Sequence, residues 1–271
     1  ATLSAASTAS ITSAVTAAVA AEIAAITDIT LDSSGSGTIT DSLGNLLNVG
    51  QTAISTNFSN ARAEDTDVNV VVNDSTGTLD AAKLSLITAK TTGSVTLQSA
   101  QTISGTGSEV TAALITDAVT LGAASNATVS GDITAEVAGN IANVTGITAT
   151  YSGTITDSLA NLASGGSITT NFSRARGDDT GVDVVVNDAT GTLDAADLGA
   201  VTAKTTGTVT LENAQTISGS GADLIAALKT DAATLSAAST ASITSAVTAA
   251  VAAEIAAITD ITLDSSGSGT I

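Results

Sequence analysis

The sequence predicts an α/β solenoid of stacked strand-turn-helix coils, about 24–28 residues each with one longer coil per unit, a parallel sheet on one side and helices on the other. Three observations lead there. Residues 1–39 and 233–271 are identical, at an offset of 232. A weaker copy lies inside that period: Thr38-Ile39-Thr40-Asp41-Ser42-Leu43 recurs at 154–159, and Gln101-Thr102-Ile103-Ser104-Gly105 recurs at 215–219, so the unit is about 116 residues. Within each unit, β-prone tripeptides return at spacings of 24, 25 or 28, with single long intervals of 41 and 37. Self-similarity at fixed period is the signature of repeat architectures.

The strands come first in each coil. Tripeptides begin at Ala1, Ile29, Val70, Val95, Val119, Ile147, Val184, Val209, Ala233 and Ile261. β-Branched residues favour a pleated strand, and the first and third of each triplet face the same way. A small polar turn follows, then a helical segment. The clearest helix is expected over 11–26, where Ile11, Val15, Val19, Ile23 and Ile26 form one apolar stripe and the intervening alanines favour helix. That stripe should be buried against Leu3, Leu31 and their equivalents. Ile133, Val137, Ile141 and Val144 repeat it. Shorter helices carry Leu43, Leu46 and Leu47, then Leu198 and Val201, then Leu224 and Leu228. Asp41, Asp132 and Asp223 stand where an N-terminal cap or dipole partner belongs.

A coil of this kind buries its strand face against its helix stripe and must stack on its neighbours. Residues 1–271 therefore read as one continuous solenoid, with super-repeats 1–118 and 119–232 and residues 233–271 opening a third. The first coil begins in mid-motif and capping repeats are missing, so the chain reads as an excerpt of something longer, or as one stretch of a filament. Crossovers should be right-handed.

Composition narrows the function. The chain has no Pro, Cys, Met, Trp or His, and its aromatics are Phe58, Tyr151 and Phe172. No disulfide framework, thiolate metal site or Ser-His-Asp triad can be built. The net charge of −19 opposes binding to nucleic acid or an anionic membrane. Apolar residues are 43% of the chain, which argues against disorder. Residues 1–21 are uncharged, yet too rich in Ser, Thr and Ala for a membrane span. No signal peptide is visible.

Strand, turn and helix in 24–28 residues resembles the layout of leucine-rich-repeat solenoids, with Val-Thr-Leu and Val-Val-Val in place of that family's Leu-rich strand and Asn ladder. The texture, with runs such as Gly207-Thr208-Val209-Thr210-Leu211, resembles giant bacterial Ala/Thr-rich cell-surface repeat proteins, cyanobacterial ones included. That resemblance implies secretion or a cell-surface location and a structural or adhesive role.

The candidate sites lie in the long coil. It holds Phe58 and Arg62 in one unit and Phe172, Arg174 and Arg176 in the other. Insertions in repeat proteins map to one face, often the contact face, so these five are candidates for lateral contact. Burial of each Phe, with each Arg on a nearby carboxylate, is the alternative. Asp65 and Asp67, with Asp178, Asp179 and Asp183, are the densest acidic clusters and the candidate calcium ligands. No EF-hand spacing accompanies them. Arg176-Gly177-Asp178 spells the integrin-ligand tripeptide, but the other unit has Arg62-Ala63-Glu64. Five Asn-X-Ser/Thr triplets fit N-glycosylation. Lys83, Lys90, Lys204 and Lys229 have no nucleophile motif around them, and the phosphate-loop signature is absent. The expectation is a non-enzymatic structural protein of a filament, sheath or surface layer. It needs no cofactor unless calcium binds, and its partner is itself, end to end and laterally. An adhesin stalk and a calcium- or ice-binding module are the alternatives.

Overall fold

A computed structural model describes residues 7–32, 37–117, 119–121, 125–230, 233–235, 239–264 and 269–270. The fold is α/β, built of short helices and several parallel sheets, an arrangement compatible with a repeat solenoid. The chain divides into two compact units, residues 1–129 with 144–148, and residues 130–143 with 149–271.

In the first unit one parallel ladder runs Ala14–Val15, Thr38–Asp41, Val70–Val72, Val95–Leu97, Thr120–Leu121. The Val and Leu at each end of a triplet are buried and the middle residue is half-buried, as alternation requires. A second parallel ladder, with Gly77–Asp80 beside Gln101–Thr106 and then Ser125–Ser130, was not expected. Ser7–Ser10 pairs with Ile29–Asp32. The second unit repeats the plan. Ile155–Asp157, Val184–Val186 and Val209–Leu211 make one ladder. Thr192–Asp194, Thr216–Gly219, Ser239–Ile243 and Ile261–Asp264 make the other.

The segments expected to hold one strand thus hold two: Val70–Val72 is followed by Gly77–Asp80, and Val184–Val186 by Thr192–Asp194. The expected triplets are also divided between ladders. Those at Val70, Val95, Val184 and Val209 lie in the first kind, while those at Ile29 and Ile261 lie in the second. The triplet 1–3, Leu3 included, lies outside the described residues. The second strands escape a pattern search because each carries little apolar signal: Leu79 in Gly-Thr-Leu-Asp, Ile217 in Thr-Ile-Ser-Gly.

Stacking explains one recurrent glycine. Gly93 and Gly207 open the turn before a Val-Thr-Leu strand, and a Cβ on either would fall within 2.5 Å of the carbonyl of Val68 or Val182 in the neighbouring layer. No side chain fits there.

The helix expected over 11–26 is shorter, Ala17–Ala24, capped by the Thr16 hydroxyl, which accepts from the Val19 amide. Val15 lies in a strand and Ile11 is buried just after one. The buried helical face is Ala17, Ala20 and Ala21, which meets the helix Thr56–Glu64, while Val19 is 43% exposed. The apolar stripe was placed on the wrong side because its first two members are not helical. The identical segment at the other end forms the same helix and flanking strands, with Thr248 capping Ala249–Ala256 and Asp260, like Asp28, at positive φ, but Ala246 and Val247 are not in a strand as Ala14–Val15 is.

Of the expected caps, Asp223 sits in the first turn of Gly221–Ile225, which Ser220 caps. Asp41 and Asp132 precede their caps Ser42 and Thr134 and serve other layers. The helices Gly107–Thr111 and Gly221–Ile225 each run into a π-helical turn, Ala112–Thr116 and Ala226–Thr230.

Candidate functional site

In the second unit the long coil runs through Leu159–Leu162, a small antiparallel hairpin of Ala163–Ser164 and Ser167–Ile168, and the helix Thr170–Asp178. Gly165 and Gly166 form the hairpin turn at φ of 63° and 74°, which suits glycine. The Thr169 hydroxyl caps the helix at Phe172 and donates to the Asn161 carbonyl. This helix packs on Ala135–Ala142 so closely that a Cβ on Gly139 would meet the Asn171 Cα at 2.6 Å.

Phe58 and Phe172 are completely buried, with Ala61 and Ala175 beside them in the same helices. Neither ring is presented for contact; each is the largest filler of a core made otherwise of small and aliphatic side chains. Arg62 donates through Nε to the Lys90 carbonyl, and Arg176 in the same way to the Lys204 carbonyl. Those carbonyls lie just past the helices Ala81–Thr88 and Ala195–Thr202. The guanidinium therefore caps a helix C-terminus, where cations are favoured, and its partner is a backbone carbonyl rather than the expected carboxylate. Arg174 is exposed.

The acidic residues do not converge. Asp178 accepts from the Ala149 amide at 2.8 Å and Asp179 from the Tyr151 amide at 3.0 Å. These amides belong to Ile147–Tyr151, a terminal strand of its sheet. The long coil runs as helix where another coil would add a strand, so two carboxylates take over the edge amides. Unpaired edge groups are costly when buried and adhesive when exposed. Asp183 accepts from the Thr208 amide and hydroxyl at 2.6 and 2.8 Å. In the first unit Asn69 does the same for Ser94, so the brace needs an oxygen and not a charge. Asp65 accepts from the Asp67 amide. Asp67 has a raised pKa because Asp65 shares a hydrogen bond with it and repels its charge. Among the described residues no three acidic side chains gather where they could hold a metal ion.

Tyr151 is buried, with its hydroxyl donating to the Ala138 carbonyl at 2.9 Å. Burial, and then the nearby carboxylates of Asp178 and Asp179, push its pKa upward. Both termini of the Arg176-Gly177-Asp178 triplet are engaged within the unit, Arg176 on Lys204 and Asp178 on Ala149.

An open polar cavity of about 330 Å³ lies beside the long coil, with Thr134, Glu136, Asp157, Asn161, Thr170 and Asn171 in its walls. Asp157 is its buried carboxylate, and it is fully engaged. It accepts from the Ala135 amide at 3.0 Å, the Ser158 amide at 2.9 Å and Asn161 Nδ2 at 2.7 Å. Asp41 makes the same three contacts with Ala17, Ser42 and Asn45. Asp74 and Asp188 accept from the Leu43 and Leu159 amides, at the start of the short helices Leu43–Leu46 and Leu159–Leu162 that precede them in the chain. Asp132 holds Thr154 by amide and hydroxyl, and these bonds lower its pKa.

One further pair of residues, which no motif or composition signal marks, matters as much. Gln101 and Gln215 are buried to 3% exposure. Gln215 donates to the Asp188 and Ala189 carbonyls and accepts from the Gly191 amide. Gln101 does so for Asp74, Ser75 and Gly77. One side chain thus satisfies the whole turn between the two strands of the neighbouring coil. The available signal was recurrence: Gln-Thr-Ile-Ser-Gly stands at the same place in both units.

No family model matches the chain, and no curated protein matches it. Among solved structures it is similar to a plant peptide hormone receptor, RGFR1, in complex with RGF2. The identity is 13%, over 92% of this chain and 53% of that one, with a TM-score of 0.22. The chain spans about half the length of that receptor, and a likeness at this score carries neither a fold nor a function. No helix among the described residues is long and apolar enough to cross a membrane.

Proposed function

We propose that this is a non-enzymatic structural protein, a solenoidal scaffold of a secreted or cell-surface filament, sheath or layer, that associates with copies of itself. The observation that carries this reading is where the polar side chains point. Asp41, Asp157, Asp178, Asp179, Asp183, Gln101 and Gln215 each bind backbone groups 22 to 29 residues away. They brace one layer to the next, so the chemistry that an enzyme or a metal protein would direct at a ligand is here directed at the stack. A chain braced in this way resists separation of its layers and suits mechanical continuity. The net charge of −19 keeps such rods apart in solution.

The test is electron microscopy of the purified chain over a range of concentration and salt. Fibres or sheets that lengthen with concentration and thicken as salt screens the charge are the expected outcome. Uniform single particles at every condition would sink the scaffold reading and leave a monomeric stalk.

A further inference from the structure

Ser125 and Ser239 each accept through Oγ from the amide of Gln101 or Gln215 at 3.1 Å, so the strands Ser125–Ser130 and Ser239–Ile243 hold the same place in their units. Their outward residues differ. Ser239-Thr240-Ala241-Ser242 agrees with Ser7-Thr8-Ala9-Ser10, whereas the strand in question reads Ser125-Asn126-Ala127-Thr128. The two exchanges, Thr to Asn and Ser to Thr, fall on the two positions that define an Asn-X-Ser/Thr acceptor. Thr240 shares a hydrogen bond with the Thr216 hydroxyl at 2.9 Å. The Asn126 side chain is exposed and has no hydrogen-bond partner among the described residues. It stands in the wall of an open cavity of about 220 Å³, with Gly77, Thr78, Ala100 and Thr102.

Backbone conformation separates this triplet from the other four. Residues i and i+2 share a face in a strand but do not face each other on a helix. Asn126 and Thr128 therefore point outward together, while Ala127 is buried. Asn57 and Asn171 lie in helices, and the Phe58 and Phe172 that follow them are enclosed in the core. Asn143 is the C-cap of Ala135–Ala142, and its amide is bound to helical carbonyls. At Asn73 the turn is tied three times. The Asn73 amide donates to the Asp41 carbonyl, Asp74 takes the Leu43 amide, and Gln101 binds the Asp74 and Ser75 carbonyls.

We propose that Asn126 is an N-glycosylation site, with its first sugar seated against the cavity beside Thr78 and Thr102. This rests on the secreted or cell-surface reading, because N-linked sugars belong to exported chains. Nδ2 of Asn126 forms a bond to the anomeric carbon of a sugar carried on a diphosphate. The bond from that carbon to the diphosphate oxygen breaks, the diphosphate leaves with the electron pair, and a proton passes from Nδ2 to a base of the transferase. Thr128, on the same face, supplies the hydroxyl that the acceptor triplet requires. A glycan is bulky and solubilising, so it holds this face of the second ladder out of contact between copies.

The test uses the folded full-length chain and two donors. One is glucose on a nucleotide diphosphate with a soluble asparagine glucosyltransferase; the other is an oligosaccharide on a lipid diphosphate with a membrane oligosaccharyltransferase. Intact mass and peptide mapping read the occupancy of all five triplets. Asn126 should carry sugar at least roughly tenfold more often than any other triplet, since reaching those requires local opening and a factor of ten corresponds to about 1.4 kcal/mol. The donor that gives the higher occupancy identifies the carrier. Asn126→Thr, which installs the residue found at Thr240, should abolish the gain in mass at this site. Thr128→Ala keeps the asparagine and should abolish it too. Even occupancy of the five triplets, no sugar at Asn126, or sugar there that survives Thr128→Ala overturns the assignment. Sugar at Asn126 on a chain that microscopy shows only as single particles would support the site and count against the scaffold; filaments from a chain that takes no sugar at Asn126 would do the reverse.

Discussion

Replacing Gln215 with Ala removes one side chain and leaves three backbone groups of the neighbouring turn without their partner. The bonds lost are 2.9 Å to the Asp188 carbonyl, 3.1 Å to the Ala189 carbonyl and 2.9 Å from the Gly191 amide. A buried group left unsatisfied costs about 1–3 kcal/mol. These three are partly buried, so water recovers some of the loss and the lower end applies, about 3 kcal/mol in all. The loss is local, since stacked layers unfold in parts and one global midpoint does not describe them. Amide hydrogen exchange in the full chain is therefore the assay, read at Gly191 and at Thr216, whose amide donates to the Gly191 carbonyl. Gln215→Glu sharpens it. That variant keeps the acceptor for Gly191 but faces two carbonyls with a charge, so the loss at pH 7 should be at least as large and should ease on acidification. Gln101→Ala should reproduce the effect at Gly77, because its contacts are the same. A change within about 0.5 kcal/mol, the range of an ordinary surface substitution, would refute the bracing role of the glutamine.

Tyr151 is the chain's one tyrosine and there is no tryptophan, so phenol ionisation can be followed directly by absorbance near 295 nm. With its pKa raised above the ordinary 10.0 by burial and two carboxylates, its contribution to stability is complete below pH 10 and is lost as pH rises through the folded value. Tyrosinate should accordingly appear only with unfolding, and ionisation near pH 10 in the folded chain would contradict the packing. Asp132 and Asp67 should act in opposite senses. Asp132, lowered from 3.8 by its bonds to Thr154, supports the fold above that pH and ceases to as acid protonates it, so Asp132→Asn should flatten the acid limb of the stability profile. Asp67, raised by Asp65, disfavours the charged state, so Asp67→Asn should stabilise slightly at pH 7 and do nothing once both forms are protonated; equal and parallel acid profiles for the two variants would contradict this. Ile255→Ala should cost about 2–4 kcal/mol in denaturant unfolding monitored by local exchange, and Ile23→Ala distinctly less, although the two residues share one sequence context; equal losses would show that the difference in cover is not energetic. Phe172→Ala should cost about 3–5 kcal/mol, since the ring is wholly enclosed, and a neutral substitution would return Phe172 to the list of contact residues.

The sequence by itself determined the α/β class, the period and the residues of the first ladder. Triplets such as Val95–Leu97 and Val209–Leu211 carry their strand signal in three consecutive side chains, and the long coil was visible as a longer interval around Phe58 and Phe172. The recurrence of Gln101 as Gln215 was equally legible, but its role was not, because a glutamine's purpose lies in which backbone it reaches. Only the tertiary structure decided the second ladder, whose strands hold one or two apolar residues each and are stabilised by the adjacent layer rather than by their own propensity. It also decided the meaning of the acidic clusters. Spacing along the chain puts Asp178 and Asp179 side by side, yet their partners Ala149 and Tyr151 are 29 and 28 residues away. Periodicity reports which residues are alike; which of two like faces is covered depends on the neighbouring layer, and so identical residues such as Ile23 and Ile255 end in different surroundings.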